Sequence, residues 1–552
     1  MASRQQLFQR PIMFWIGIAA VTTGVILHLP MYLHSADMGY QMVGMHMDPA
    51  MTAGMILIPI GMACTIVGIW PRRPPDPAPG GPQSYRVTAL DSAPLNRAHV
   101  ALLLVMAAAV TIDVMKPTTL AFVMPGMAQE YDLKSPLNPD GQIPVAWLPL
   151  VALTGMVLGA LVWGSLGDRI GRRASILLAG VMFIGTSICG AMPSFAGNLL
   201  MCFLMGAAVG GMLPIAFALL AETIPARHRG WLMVLIGGDV AGAYILTSFL
   251  ASVLEPRFSW RILWLIGLPT GVLLILLNRW IPESPRFLLA TGRIDQARAV
   301  MARFGAKLVP DPTPTPANAP EQTTTRLRQL WRPPYRGLTG ALALFALAWG
   351  LVNNGFLLWL PTNLRQLGLP VASADQLLAA SALIGFPAVF LVAWLYGFWS
   401  SKATMIIAAT AVAAALTTFA VLGSSIAHNG LLLQAMIVLL LAGTGAMLAM
   451  LTPYSSEVFP TQIRARGTGL AGACARAGGF LGVGAVLLTI TPASLTGAAL
   501  LGAIPTILAI AALWFYGVET RRRSLEEINA DRQAKVASVS ITPSRSSPAR
   551  NQ

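Results

Sequence analysis

The chain has 552 residues, of which 55% are hydrophobic and 11% charged, and its mean hydropathy is +0.66. Such a composition excludes a large soluble globular protein and indicates a polytopic membrane protein whose main solvent is lipid. The formal net charge of +15 is compatible with a nucleic-acid partner, but the Lys and Arg residues concentrate in connections on one side of the predicted membrane. We therefore expect no nucleic-acid partner.

Two apolar segments open the chain, Pro11 to Pro30 and Ala50 to Trp70. Each has about the 20 residues that a membrane-spanning helix needs. No convincing small-residue cleavage site follows the first segment, so an uncleaved pair is favoured over a signal peptide. Residues 1–70 are predicted to form a two-helix membrane extension, and the proline-rich residues 71–97, with their arginines, a cytoplasmic linker.

The loop between these two helices is rich in Met and His. Thioethers and imidazoles together suit copper, which makes a metal site one hypothesis for this loop. The alternative is that the methionines fill irregular gaps where the extension packs on the rest of the protein. Packing is favoured, because the spacing follows no tight chelate motif and the chain has 26 methionines in all. The candidate metal ligands are His28, His34, Met45, His46 and Met47.

Twelve further apolar segments follow. They lie near 98–124, 143–165, 173–192, 197–221, 231–254, 260–281, 337–361, 376–399, 403–422, 430–452, 466–490 and 494–518. The basic connections place both termini in the cytoplasm and predict an all-α protein with 14 spans in total. The predicted parts are an N-terminal bundle over 98–282, a cytoplasmic central loop over 283–336, a C-terminal bundle over 337–520 and a cytoplasmic tail over 521–552. The central loop is predicted to contain an amphipathic stretch from Arg293 to Phe304 and a linker from Val309 to Thr325.

A glycine-rich charged motif, Gly164-Ser-Leu-Gly-Asp-Arg-Ile-Gly-Arg-Arg173, joins two of these segments. Glycines at 164, 167 and 171 would let two helix ends approach closely at a tight turn. An ordinary basic turn would explain the arginines but not the three glycines around Asp168. The motif resembles the signature between the second and third helices of the major facilitator superfamily.

Three motif pairs indicate an internal duplication. Gly164 and Gly397 are 233 positions apart, Glu222 and Glu457 are 235 apart, and Glu283 and Glu519 are 236 apart. A six-helix unit repeated in parallel is the architecture in which two bundles rock around a central site. Pro282-Glu-Ser-Pro-Arg286 also resembles a motif of the sugar-porter and organic-ion branches of that superfamily. This resemblance covers residues 98–530 and implies the fold much more specifically than the substrate.

Charges at the cytoplasmic helix ends are predicted to form a latch. They can pair across the two bundles, or meet a helix dipole, and must separate when the cytoplasmic side opens. In particular, Asp168 is expected to attract the start of the eleventh core helix. The candidate gating residues are Asp168, Arg169, Arg172, Arg173, Glu222, Arg229, Glu283, Arg286, Glu457, Arg464, Arg466 and Glu519.

Few polar residues lie inside the apolar segments, and each is a functional candidate because an unpaired charge in the bilayer is costly. Asp113 and Lys116 are one turn apart and able to pair with each other. Arg476 precedes a glycine-rich run, and this segment resembles organic-ion and aromatic-acid transporters, in which such an arginine contributes to the substrate cavity. Asp239, Asn353 and Asn354 complete the candidate substrate and coupling residues.

These features together predict a secondary transporter of the bacterial inner membrane that moves a small organic solute, with an anion favoured, by alternating access coupled to protons. Arg476 and Lys116 would attract the anion, Asp113 or Asp239 would carry the proton, and the asparagines would hydrogen-bond the solute. No enzymatic activity and no cofactor are expected. Primary active transport is disfavoured, since the chain lacks a phosphate-binding loop. The partners expected are the solute, protons and the lipid bilayer, with the chain acting as a monomer. The alternative is a transporter-like sensor or a copper-binding membrane protein that uses the extension.

Overall fold

Fourteen helical spans make up most of the computed structural model, which describes residues 10–70, 85–86, 90, 93–310, 327–333, 335–459, 461–488 and 495–520. Each span is long and apolar enough to cross a membrane, as the sequence predicts. In chain order they are α1 Pro11–Met38, α2 Pro49–Ile69, α3 Arg97–Glu130, α4 Trp147–Ile170, α5 Arg172–Ala191, α6 Phe195–Thr223, α7 Ala226–Phe258, α8 Arg261–Trp280, α9 Arg336–Gln366, α10 Val371–Trp399, α11 Ser401–His428, α12 Gly430–Val458, α13 Thr461–Leu487 and α14 Leu495–Tyr516.

The helices α3–α8 pack mainly among themselves, and so do α9–α14. In the N-terminal set α4 lies against α6 and α5 against α8; in the C-terminal set α9 lies against α13 and α14. The two sets meet where α7 contacts α10 and α12 and where α4 contacts α13. The connection between the sets contains two short helices, Pro285–Ala290 and Ile294–Arg303. The second confirms the predicted amphipathic stretch, because Ala297, Val300 and Met301 are buried.

The turn between α4 and α5 is tighter than the sequence predicts. Helix α4 continues through the charged motif to Ile170, and α5 begins at Arg172, so Gly171 is the whole turn. Its φ of +94° favours glycine, and a Cβ there would collide with the Glu283 carboxylate. Gly164 faces open space and Gly167 makes only ordinary contacts, so the expected close approach at all three glycines is wrong.

We call the membrane side of this turn the turn face and the opposite side the far face.

Several spans run further than their apolar stretches. Helix α3 continues to Glu130, α9 continues to Gln366 and α10 begins at Val371, so charged residues outside the predicted segments belong to the ends of spans on the far face. Span α7 is interrupted at Asp239, which separates the helices Ala226–Gly238 and Val240–Phe258.

The extension is a closely packed helical hairpin bound to the N-terminal set. Gly17 of α1 faces Gly61 of α2 so closely that a Cβ on either would overlap the other helix's backbone. Both helices pack against α5. On the far face the Tyr32 hydroxyl donates to the carbonyl of Phe258 at 2.7 Å, and the Met42 N–H donates to Glu130 at 2.7 Å.

Two pairs of very short strands complete the described structure. Leu133–Lys134 pairs in parallel with Ile143–Pro144, and Tyr85–Arg86 pairs antiparallel with Val309–Pro310. The predicted linkers over 71–97 and 309–325 and the predicted tail over 521–552 lie largely outside the described residues.

Candidate functional site

A central cavity of about 690 Å³ lies between the two helix sets. Helices α3, α4, α6 and α7 form one wall, and α9, α10, α12 and α13 form the other. Most of the lining is apolar, including the rings of Phe217, Tyr244 and Trp349. A concave apolar space with a few polar groups is the usual form of a small-molecule site.

The cavity extends toward the turn face. Its lining includes Ser455 and Thr468, which lie close to the ends of α12 and α13 on that side. Toward the far face it ends where Leu153 of α4 packs against Gly479 of α13. The cavity therefore extends toward the turn face and is closed toward the far face.

Each of the two walls carries one carboxyl or guanidinium side chain. Asp113 of α3 lines the N-terminal wall; its side chain is fully buried, and neither carboxylate oxygen has a hydrogen-bond partner. Arg476 of α13 lines the C-terminal wall, and its Nη1 donates to the Gly472 carbonyl at 3.2 Å while its buried Nε has no partner. One acid and one guanidinium group with unused hydrogen-bonding capacity thus face one apolar cavity.

Further polar groups lie on both walls. Asn353 and Asn354 line the cavity from α9, and Asn354 lies against Gly479, one turn beyond Arg476. The Tyr244 and Thr444 hydroxyls line it without hydrogen-bond partners. The structure therefore brings together four predicted site residues, Asp113, Asn353, Asn354 and Arg476.

Two predicted site residues lie outside the cavity. The Lys116 ammonium sits 5.5 Å from the centre of the Phe183 ring and points toward Gly267, so it lies between α3, α5 and α8 and not among the lining residues. Its expected pairing with Asp113 is not formed, since neither Asp113 oxygen has a partner. Asp239 accepts a hydrogen bond from Thr111 at 2.5 Å and is likewise absent from the lining.

The gating candidates of the N-terminal set form one cluster at the turn face. Arg172 bonds Asp168 at 3.2 Å and reaches Glu222 at 3.8 Å, and Glu222 accepts a hydrogen bond from Ser284. Glu283 accepts the Arg172 N–H at 2.8 Å. Burial raises the pKa of the Glu283 carboxyl, while hydrogen bonds from the N–H groups of Ser284, Arg172 and Arg173 act in the opposite direction. Arg173 Nε donates to the carbonyl of Asn278.

The equivalent residues of the C-terminal set form a second cluster. Glu457 accepts hydrogen bonds from the Tyr396 hydroxyl at 2.8 Å and the Thr520 hydroxyl at 2.7 Å. Glu519 accepts the Ser401 N–H at 3.0 Å. These bonds all lie within one set, so they stabilise that half of the protein. The predicted latch between the halves stays a prediction.

The other gating candidates are arginines in differing surroundings. Arg169 and Arg286 are exposed, Arg229 donates to the Ile224 carbonyl at 3.0 Å, and Arg466 has a buried Nη1 with no partner. The Arg464 side chain lies outside the described residues.

A buried ion-pair group at the far face joins the two sets and was missed by sequence reasoning. Arg365 of α9 bonds Glu255 of α7 at 3.0 Å and Asp375 of α10 at 3.4 Å. The exposed side-chain fractions are 8% for Arg365, 8% for Glu255 and 0% for Asp375. We call these three residues the far-face triad.

The Met- and His-rich loop offers little support for a metal site. His28 is buried and hydrogen-bonded to the Gly24 carbonyl at 2.7 Å, whereas His34, His46 and Met47 are exposed and Met45 is half-buried. Within the described part of the chain, no group of three or more His, Cys, Asp or Glu side chains is arranged to hold a metal ion. The copper hypothesis, which also involves thioethers, stays a prediction.

Comparison with known proteins gives a consistent result. Residues 100–482 and 365–548 match the family model described as Major Facilitator Superfamily. The niacin transporter NiaP of Acinetobacter baylyi is 28% identical over 405 residues, which cover 71% of this chain and 88% of that protein. The 4-hydroxybenzoate transporter PcaK of the same organism is 29% identical, covering 72% of this chain and 87% of that protein.

Among solved structures, the xylose transporter XylE from E. coli in a partially occluded inward-open conformation superimposes with a TM-score of 0.61. The two chains are 16% identical, and the match covers 78% of this chain and 100% of that one. This likeness concerns the fold.

Proposed function

Because the chain belongs to the Major Facilitator Superfamily and is a multi-pass membrane transporter of small organic solutes, we propose that its substrate is an aromatic monocarboxylate imported together with a proton. The observation that carries the proposal is the placement of Arg476, with an unpartnered Nε, in an apolar cavity opposite an unpartnered Asp113.

The C-terminal wall suits a carboxylate. With Nη1 bound to Gly472, the guanidinium of Arg476 keeps Nε and Nη2 available, and these two donors lie in the geometry that binds both oxygens of a carboxylate. Asn354 lies close enough on the same wall to add a hydrogen bond. Phe217, Tyr244 and Trp349 supply flat apolar surfaces for a ring.

The N-terminal wall suits a proton. Asp113 lines the cavity in a fully buried position without a hydrogen-bond donor, and such a carboxylic acid favours its neutral form. Asp239 is less suited, since it already accepts a hydrogen bond from Thr111 and lies off the cavity. We assign proton binding to Asp113 and no substrate role to Lys116.

Two of the relatives carry names that fit this chemistry. Niacin and 4-hydroxybenzoate each combine one aromatic ring with one carboxylate, and the relatives named for them align over more than two thirds of this chain. The arginine-rich turn face is assigned to the cytoplasm of a bacterial inner membrane, with both termini on that side. Each chain encloses its own cavity, so the transporting unit is a monomer.

The direct test is uptake into proteoliposomes with an imposed pH gradient, acid outside. Radiolabelled nicotinate, 4-hydroxybenzoate and benzoate should accumulate, and collapsing the gradient with a protonophore should abolish accumulation. Xylose serves as the neutral solute and protein-free liposomes as the blank. Equal uptake of xylose and the acids would contradict the substrate class. Binding of an acid without any transport would favour the sensor alternative.

A further inference from the structure

The far-face triad carries unequal charge. If all three side chains were ionised, one guanidinium would face two carboxylates, and the group would bury one net negative charge. Both carboxylates bond the same nitrogen, Arg365 Nη2, so they lie within about two hydrogen-bond lengths of each other. Asp375 Oδ1 is buried without a partner. A buried carboxylate in such surroundings is strongly destabilised unless a proton neutralises the excess charge.

Neighbouring helices leave this imbalance uncorrected. Within the described chain, the groups that act electrostatically on the two carboxylates are each other, Arg365 and the phenol of Tyr244. A phenol contributes no positive charge. The charged side chains of the adjacent α3 and α8 ends, Glu130 and Arg261, bond each other at 2.6 Å instead.

The triad also has a distinctive position. Glu255 belongs to the N-terminal set, whereas Arg365 and Asp375 belong to the C-terminal set, and all three lie near the far-face ends of their spans. Opening the far face must separate α7 from α10 and expose the carboxylates to water. In water each carboxylate ionises freely, because hydration replaces the lost partner.

We propose that the far-face triad is a proton-binding latch, in which Glu255 and Asp375 share one proton while the far face is closed. Closure takes the proton from the far-side solvent, and opening returns it to the same side. The proton is therefore not transported, and this site is separate from Asp113. Acid on the far side favours the closed state, since the closed state binds one proton more than the open state.

The test measures the conformation and needs no substrate, so it is independent of the proposed function. Spin labels are placed at Asp140→Cys in the N-terminal set and His428→Cys in the C-terminal set, both exposed on the far face. The four native cysteines, Cys64, Cys189, Cys202 and Cys474, are first replaced by alanine. Pulsed electron paramagnetic resonance on the full chain in lipid nanodiscs then gives the closed and open fractions between about pH 5 and 9.

The closed-to-open ratio of the parent should rise by up to about tenfold for each unit of acidification within part of this range, as one linked proton requires. Asp375→Asn balances the triad without a proton, so its far face should stay closed with no pH dependence. Glu255→Gln should behave in the same way and substitutes for Asp375→Asn if that variant fails to fold. The double variant leaves Arg365 uncompensated and should open.

The matched control is Asp132→Asn, which neutralises an exposed far-face carboxylate and should keep the parent's pH response. A merely structural ion pair gives a different pattern, because each single neutralisation would then open the far face at every pH. That pattern, or a parent ratio that does not change with pH, overturns the proposal.

Discussion

Arg476→Lys tests the assignment of the anion site most directly. The substitution keeps the positive charge but replaces a planar fork by a single ammonium point charge. In the structure Nη1 is engaged by Gly472 while the buried Nε has no partner, so the edge formed by Nε and Nη2 is the part available for two parallel bonds to a carboxylate. Lysine can replace only one of them.

The expected loss of substrate affinity follows from the loss of one of these two hydrogen bonds. One charge-assisted hydrogen bond is worth about 1.5–3 kcal/mol, which corresponds to roughly 10- to 150-fold in affinity. The bond forms on substrate binding, so it should appear chiefly as a raised KM for the carboxylate that gives the strongest uptake in the proteoliposome panel.

The assay compares Arg476→Lys with Arg279→Lys, an equally conservative change at an exposed residue that stacks on Trp280 outside the cavity. The control should keep the parent's KM. Thermal unfolding of both variants, with and without the carboxylate, separates lost binding from lost folding. A parent-like KM for Arg476→Lys would refute the bidentate assignment and move the anion site away from α13.

Three further substitutions test separate parts of the protein. Asp113→Asn should abolish accumulation driven by a pH gradient but keep substrate exchange, and loss of both in the same liposomes would contradict its role as proton carrier. Asp168→Asn should change the free energy of unfolding by less than about 1 kcal/mol, because the Asp168 side chain is 75% exposed, while uptake should fall if closure of the turn face brings Asp168 to α13; normal uptake would remove Asp168 from the latch. Gly171→Ala should lower the melting temperature through its positive φ and its collision with Glu283, whereas Gly164→Ala, which faces open space, should not; equal melting temperatures would argue against this turn geometry.

Spans and motif-bearing charges could be predicted from sequence because both depend on local information. An apolar run of sufficient length has to form a helix in lipid, since no water is present to bond its backbone. Arg476 was identifiable for a related reason, because a charge inside an apolar run is costly in the bilayer and therefore indicates a functional site. The side-chain direction of Lys116 was not identifiable, since it depends on which neighbouring helices leave room for a long side chain.

The far-face triad escaped prediction for a different reason. Glu255, Arg365 and Asp375 lie just beyond the apolar stretches at 231–254, 337–361 and 376–399. In the sequence, charged residues at such positions resemble the solvated ends of membrane helices. Only the three-dimensional arrangement shows that these helices continue further and bury their charged ends against each other. Glu255 and Arg365 are 110 positions apart, so no local pattern connects them.

The one-sided attachment of the extension makes the two halves mechanically unequal. Helices α1 and α2 lie on α5, α1 is bonded to Phe258 and the loop after it to Glu130, and all three contacts are with the N-terminal set. Eight of the 14 spans therefore move together and displace more lipid than the six that face them. In a viscous bilayer the larger body turns less, so we expect the C-terminal set to carry most of the rocking. The end of α7 that holds Glu255 should then stay nearly still, while the ends of α9 and α10 that carry Arg365 and Asp375 move.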